Sequence, residues 1–345
     1  MIHGHGDDAY KYSKPIVADF SSNVWFEGVS ADLLSHLQEQ LHKLNHYPEP
    51  AGETLQRKIA AFHNLEPINC LVTNGSLEAF YLIALAYREN ISSIVTPCFS
   101  EYEDACKIHD HDLQFVKNTD KWEKQVSGKQ LVWFGNPNNP DGKVIRPEVL
   151  EKLLKEHPET IFVVDEAYGE LCTEFQSAVS LLPNYQNLLI VRSFTKSFAI
   201  PGLRLGYVLG DNTLIEKLRD LKMPWTVNSL ALEAGNFIME NYNELMPDKN
   251  KVKSASEAFQ HQLKALQSSL TVVPSNCNYC LLKLNGPYSG KLKQYLIEEQ
   301  GILVRDASNF RGLDERYIRV AVQKPEQNRL LTEGLKNGIK KLNNN

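Results

Sequence analysis

Lys196 stands in the stretch S-F-T-K-S-F-A-I-P-G-L-R-L-G-Y, Ser193 to Tyr207, behind the apolar segment Leu188 to Val191. A lysine at the end of a buried strand is costly unless it is paired, deprotonated or covalently used. Two hydroxyls, Ser193 and Thr195, flank it, and Arg204 follows eight residues on. Other apolar runs also end in polar groups. C-L-V-T leads into N-G-S-L-E-A, where Gly75 makes a turn and Ser76 sits at a helix N-cap. Free N–H groups and the helix dipole there favour a phosphate, although S-L-E-A is also ordinary capping chemistry. L-V-W-F-G leads into N-P-N-N-P-D-G, a turn in which Asn139 can hydrogen-bond a ligand oxygen; its two Asn-Pro bonds point to a fixed geometry, a cis bond included. T-I-F-V-V-D-E-A-Y puts Asp165 directly after an apolar strand, either as a capping group or as the partner of a cationic ligand. Side chains alternate along a strand, so Asp165 and Glu166 face opposite ways.

Together these groups offer an amine able to form a Schiff base, a nest of donors for a phosphate, and a carboxylate able to pair with a protonated pyridine nitrogen. Pyridoxal phosphate makes those three demands in one small molecule. Covalent attachment also removes the buried-ammonium problem at Lys196, whose amine serves as a base once substrate displaces it. A surface lysine beside an accidental phosphate-like pattern would require four motifs to coincide in order.

The elements that must position these residues are legible from periodicity. From about Asn69 to Leu209, C-L-V-T, I-S-S-I-V-T, Q-L-V-W-F-G, T-I-F-V-V-D, L-L-I-V-R and L-G-Y-V-L read as strands, with helices such as S-L-E-A-F-Y-L-I-A-L-A-Y-R between them. This alternation predicts an α/β fold with a mainly parallel sheet between helices, ligands lying beyond the carboxyl ends of its strands. Residues 31–230 form the large domain on this reading, and residues 1–30 with 231–345 an N-terminal arm and a smaller α+β domain. Y-C-L-L-K-L and Y-I-R-V-A-V supply strands to the latter. Arg319 interrupts the second of these, and a half-buried guanidinium needs an anion, which an α-carboxylate provides in bidentate fashion; a structural salt bridge is the alternative.

The 345 residues carry a formal net charge of −5 with no basic stripe, which argues against nucleic acid. No apolar run approaches a bilayer span and the N-terminus lacks an apolar signal core. Six cysteines in so long a chain read as reduced thiols of a cytoplasmic enzyme.

The pieces H-Y-P-E-P, T-N-G-S, N-P-N-N-P-D-G, D-E-A-Y, S-F-T-K-S-F-A-I-P-G-L-R-L-G-Y and Y-I-R-V-A-V resemble, in order, the fold-type-I pyridoxal-phosphate enzymes related to class I/II aminotransferases. That resemblance implies a large domain with a seven-stranded, mainly parallel sheet. D-F-S-S-N, P-C-F-S-E-Y, M-P-W-T-V-N-S-L-A and I-L-V-R-D-A-S-N-F-R-G-L-D are most similar to the threonine-phosphate decarboxylase branch, with histidinol-phosphate aminotransferases as near relatives. It implies Lys196 as the Schiff-base lysine, Asp165 on the pyridine nitrogen, Asn139 and Tyr168 on the phenolic oxygen, and Tyr102 stacked on the ring. The phosphate would take Gly75, Ser76, Ser193, Thr195 and Arg204, with Tyr47 reaching it from the partner subunit of a homodimer. For a phosphorylated amino acid substrate, Arg319 and Asn23 would hold the carboxylate, and His3 and Arg305 the phosphate. The resemblance leaves open decarboxylation of O-phospho-L-threonine, transamination of a substrate such as histidinol phosphate, and an inactive fold serving as a binding module. Two departures stand out: Asp141 occupies the usual threonine of the N-P-T-G turn, and the arm reads H-G-H-G where H-G-G-N is usual.

Other patterns read as decoys. Cys277 and Cys280 form a lone C-x-x-C without further ligands and read as packed thiols. H-D-H-D, His109 to Asp112, reads as a solvated turn; His3 and His5 could bind metal only adventitiously.

Overall fold

The computed structural model describes residues 6–118, 122–126, 128 and 130–344. Among them the strands are β1 (Ala18–Asp19), β2 (Cys70–Thr73), β3 (Ile91–Thr96), β4 (Asp112–Lys117), β5 (Leu131–Gly135), β6 (Ile161–Asp165), β7 (Leu188–Ser193), β8 (Gly206–Gly210), β9 (Leu270–Val272), β10 (Tyr279–Leu284), β11 (Ile302–Leu303), β12 (Arg305–Asp306) and β13 (Tyr317–Ala321). A seven-stranded sheet has the order β2-β8-β7-β6-β5-β3-β4. All neighbours are parallel except β8, which runs antiparallel to both β2 and β7. Its six apolar strands are those expected from the sequence.

Those runs are continuously apolar because both faces of the sheet are covered. Val132, Phe134, Phe162, Val164, Leu188 and Ile190 join one core with Leu55 and Ile59. Leu131, Trp133, Val163, Leu189, Val191 and Val208 join the other, under the helix Gly75–Ala86. Burying each such aliphatic side chain contributes about 1.5–3 kcal/mol. The same alternation sorts the polar strand ends. Arg192 shares the first face with Ile190, and Asp165 the second with Val163.

β4 lacked a sequence signal because it is an edge strand, with most of D-L-Q-F-V-K exposed. The reading of His109 to Asp112 as one solvated turn needs correction. Asp112 opens β4, and His111 is buried, its ring bonded to Ser92 Oγ at 2.8 Å and to the Ala84 carbonyl at 2.8 Å. Among the described residues, no group of three or more His, Cys, Asp or Glu is placed to hold a metal ion.

The smaller sheet, β12-β13-β10-β9, is antiparallel throughout and has its own core with the helices Lys249–Lys264, Ser289–Gln300 and Pro325–Asn343. The arm is tied to this part by β1, parallel to β11. The helix Ser229–Glu240, however, buries Ala231, Ala234 and Ile238 in the core shared with Leu55 and Ile59. A division at 230/231 therefore falls inside an element of the large-sheet core.

Candidate active site

The registers Gly135↔Asp165, Asp165↔Val191, Ser193↔Gly206 and Thr73↔Gly206 line up several strand ends along one edge of the large sheet. A cavity of about 400 Å³ opens there, walled by these ends, by the arm and by β12 and β13. Lys196 lines it immediately beyond β7, its backbone carbonyl accepting from Trp25 N–H at 2.9 Å. Burial, then the nearby Arg319 and Arg204 guanidinium groups, pull its ammonium down to about 8. Asp165 lines the same cavity and is pushed up to about 6, chiefly by burial. Its Oδ1 accepts from Ala167 N–H at 3.0 Å and its Oδ2 from the Tyr102 hydroxyl at 2.6 Å.

That last bond corrects the role expected for Tyr102. Its ring is buried against Phe80, Phe99 and Trp133 rather than lining the cavity, and Phe99 is the aromatic of F-S-E-Y that does line it. Tyr102 and Phe99 both flank the start of the helix Glu101–Ile108, and the docking of that helix turns Tyr102 toward the sheet and Asp165. A phenol donating to a carboxylate favours the charged form. Tyr102→Phe is expected to weaken retention of a cationic ring at Asp165 about tenfold, read as the cofactor dissociation constant.

A phosphate-sized nest lies at the start of the helix Gly75–Ala86. Ser76, Ser193, Thr195 and Arg204 line the cavity here. The N-cap is Asn74, not Ser76 as expected, and Glu78 Oε2 accepts from Asn74 N–H at 2.6 Å. Asn74 makes no side-chain capping bond, and Ser76, within the first turn, lines the cavity. Gly75 sits at φ +73°, and a Cβ there would lie 2.7 Å from an Arg204 guanidinium nitrogen. Arg204 Nη1 donates to the Pro201 carbonyl at 3.1 Å, and Thr195 N–H to Ser193 Oγ at 3.2 Å.

The opposite wall carries Arg319 and Arg305. Arg319 Nη1 donates to Asn139 Oδ1 and Nη2 to the Ser21 carbonyl, both at 2.6 Å. Its Nε is buried without a partner. The Asn23 side chain approaches Tyr168, yet neither of its buried amide atoms makes a well-formed hydrogen bond. Asn23 is set behind the cavity wall formed by Ser21, Ser22 and Val24. Tyr168 lines the cavity, its phenol pushed up by burial and its ring 5.0 Å from that of Tyr279. Asn139 lies two residues beyond the Asn136–Pro137 bond, which is cis, and Asp141 accepts from Asn138 Nδ2 at 2.7 Å without touching the Asn139 contact. Arg305 is 6% and Arg319 5% exposed, and they are register partners across β12 and β13. Burial and Arg319 bring Arg305 down to about 10; its Nη2 donates to Asn309 Oδ1 at 2.8 Å.

Of the expected residues that the structure describes, Tyr47, like Tyr102 and Asn23, is not on the lining of this cavity. Tyr47 is 86% exposed, its ring beside Trp225. His3 lies outside the described residues. Besides Phe99, the sequence reading missed Asp7 and Asn309, both on the lining, and Ser21, whose Oγ accepts from Asp7 N–H at 2.7 Å. D-F-S-S-N and A-S-N-F were visible as segments, but nothing local marks which of their side chains face a cavity. The donor set fits pyridoxal phosphate: an amine with lowered proton affinity, a buried carboxylate across from it, and a helix start with hydroxyls and a guanidinium.

The sequence matches the family profile "Aminotransferase class I and II" over residues 16–335. It is 28% identical to the threonine-phosphate decarboxylase of Salmonella typhimurium, over 92% of this chain and 90% of that one. It is 30% identical to the histidinol-phosphate aminotransferase of Thermoanaerobacter pseudethanolicus, over 88% of each. Among solved structures, the L-threonine-O-3-phosphate decarboxylase of Porphyromonas gingivalis superposes with a TM-score of 0.89 at 36% identity, covering 94% of this chain and all of that one.

Proposed function

This chain belongs to the aminotransferase class I and II family and is a pyridoxal-phosphate-dependent enzyme, and from that premise we propose that it decarboxylates O-phospho-L-threonine to (R)-1-aminopropan-2-yl phosphate, the reaction that serves cobalamin biosynthesis. The observation that carries this reading is the pair Arg305 and Arg319, opposite one another and both buried in the cavity wall. Like charges directly across two strands repel, and burial removes the water that would screen them. Such a pair calls for two anionic groups on one small molecule. A phosphorylated amino acid has them, a carboxylate for Arg319 and a phosphate for Arg305. Histidinol phosphate brings only the phosphate, but the oxo-acid acceptor of a transamination brings two carboxylates to the same site, so the aminotransferase reading also uses this pair and the assay below separates the two. An inactive binding module would tolerate damage to the site, whereas Lys196, Asp165, Tyr168, Arg204 and Arg319 are all in place.

When bound, the cofactor supplies an electron sink for the pair left at the substrate α-carbon. Lys196 holds it covalently and then moves a proton at that carbon through Nζ. Asp165, oriented by Ala167 N–H and Tyr102, keeps the pyridine nitrogen protonated. Asn139, whose Oδ1 is occupied by Arg319, keeps its amide N–H for the phenolic oxygen, together with Tyr168. Gly75, Ser76, Ser193, Thr195 and Arg204 hold the phosphate, and Phe99 covers the ring in place of Tyr102. Asn23, set behind the wall, is not placed to touch substrate here, which leaves the carboxylate to Arg319. Arg319 would fix the direction of the substrate carboxylate, and with it which bond at the α-carbon is given up.

A homodimer belongs to the same proposal, with Tyr47 of each subunit completing the other's phosphate nest. Exposed Leu41, Leu44, Met223 and Trp225 accompany Tyr47, an apolar surface suited to a second copy of this chain. Cytoplasmic location is also part of the proposal; among the described residues no helix is long and apolar enough to cross a membrane.

Carbon dioxide release from phosphothreonine, measured beside glutamate-coupled turnover with histidinol phosphate, tests the reaction. Rapid coupled turnover without carbon dioxide release would overturn it. Arg305→Ala is expected to raise KM for phosphothreonine about 100-fold while leaving cofactor absorbance intact.

A further inference from the structure

The reading of Cys277 and Cys280 as a lone motif overlooked a third cysteine. Cys172 and Cys277 stand opposite one another in an isolated antiparallel bridge. The bridge is framed by Thr173 N–H to the Asn276 carbonyl at 3.0 Å and Asn278 N–H to the Leu171 carbonyl at 3.1 Å. Those bonds flank the cysteines, which makes them a non-hydrogen-bonded pair, the arrangement with the closer Cα atoms, about 4.5 Å. That separation lies within the range a disulfide spans, about 4.4–6.8 Å. Both thiols are free and buried beside Tyr168 and Tyr279. Cys277 Sγ donates to the Gly142 carbonyl at 3.9 Å. Contact with Cys277 holds the Cys172 thiol below its usual range, whereas burial, then the neighbouring Cys172, pushes Cys277 above it. One cysteine is thereby biased toward the attacking thiolate and the other toward the resolving thiol.

We propose that Cys172 and Cys277 form a reversible dithiol–disulfide modification site, oxidised by a small hydroperoxide. The Cys172 thiolate attacks the peroxide O–O bond, giving a sulfenic acid and, after protonation, water. Cys277 then attacks the sulfenic sulfur, its proton leaving with the hydroxyl as a second water, so that two thiols and one hydrogen peroxide become one disulfide and two waters. Access is local. Thr173 and Asn276, the chain neighbours of the two cysteines, line a surface groove with Ser275, and two backbone hydrogen bonds hold this short ribbon shut. The consequence is long-range. Cys172 follows the Gly169–Leu171 turn after Tyr168, whereas Cys277 precedes β10, which pairs with β13 at Leu281↔Arg319. Oxidation joins covalently the segment bearing Tyr168 to the sheet bearing Arg319, so their separation can no longer adjust on ligand binding.

The test treats cofactor-loaded protein with stoichiometric hydrogen peroxide and uses intact-mass and peptide analysis, readouts independent of which reaction the enzyme performs. A 2 Da loss, a peptide joining residues 172 and 277, and recovery of both thiols with dithiothreitol are expected. Cys172→Ala and, separately, Cys277→Ser should abolish the 2 Da loss and leave untreated turnover within about twofold. Oxidation of any other cysteine first, addition of 16 or 32 Da without the joined peptide, or an unchanged 2 Da loss in either variant would overturn the assignment. Should one variant fold poorly, the remaining variant and the wild-type peptide map decide.

Discussion

Lys196→Ala is expected to lose turnover by roughly 10³-fold or more and to leave no cofactor attached to the chain after borohydride reduction. The size follows from the two roles that the proposed function gives one atom: Nζ would hold the cofactor and move the proton at the substrate α-carbon, and neither the nearby guanidinium groups nor Asp165 can take over. Arg319 and Arg204 are cations that cannot act as bases at neutral pH, and Asp165 is engaged by Tyr102 and Ala167. The cofactor-free variant should nevertheless be more stable than the parent at pH 7. Because the folded protein holds this ammonium at about 8 against an ordinary 10.5, it binds fewer protons than the unfolded chain between those values. Stability therefore rises with pH through that window, and below it the charged lysine is a net cost. Mass spectrometry after reduction, single-turnover rates and thermal melts of the cofactor-free protein check the three parts. Full-speed turnover in the alanine variant would remove the foundation of the proposed function.

Asp165→Asn carries the second large effect, a loss of roughly 10²–10⁴-fold in kcat/KM. Asparagine is isosteric and can keep both local bonds, its Oδ1 accepting from Ala167 and its Nδ2 donating to a Tyr102 hydroxyl turned to accept. What it cannot do is hold a proton on a ring nitrogen by charge. The structure also predicts a gain. Burial raises the Asp165 carboxyl to about 6 from an ordinary 3.8, so the folded protein binds more protons than the unfolded chain between about pH 4 and 6. Stability of the cofactor-free protein falls as pH rises through that window, by about 3 kcal/mol at 1.4 kcal/mol per tenfold. The amide variant should escape this loss and melt higher than the parent at pH 7 without cofactor, an advantage that shrinks toward pH 4. A site that is costly when empty and functional when filled is the usual bargain between stability and activity. Denaturant titration of both proteins at pH 4 and pH 7 is the measurement; equal stabilities at both pH values would contradict the burial argument.

A second set of buried charges lies behind these two residues. Glu166, on the face opposite Asp165, accepts from Arg192 Nη1 at 2.8 Å, and Glu170, also paired with Arg192, accepts from Ser197 Oγ at 3.1 Å. Asp165 and Lys196 are thus each adjacent in sequence to a member of one ion-pair network on the far side of the sheet. Breaking such a network by removing one partner costs far more than the pair contributes, because it strands a buried charge. The opposite orientation of Asp165 and Glu166 was readable from strand alternation, whereas the network was not. Arg192, Glu170 and Ser197 come from segments whose proximity exists only once β6 and β7 pair.

The amino-acid sequence by itself determined six of the seven strands of the large sheet, the class of cofactor and the polar groups near the strand ends, because each is encoded within a few neighbouring positions: an apolar run, its turn, and the polar group that follows. Lys196, Asp165, Asn139, Ser193, Thr195 and Arg204 were legible for that reason. Tertiary structure alone decided that Phe99 faces the cavity while Tyr102 turns to Asp165, that the helix begins at Gly75 with Ser76 in its first turn, that Arg305 and Arg319 confront one another, and that Cys277 stands opposite Cys172. Each depends on how one element docks against another far along the chain, and a side chain's direction in space is set by that docking and not by its neighbours in sequence.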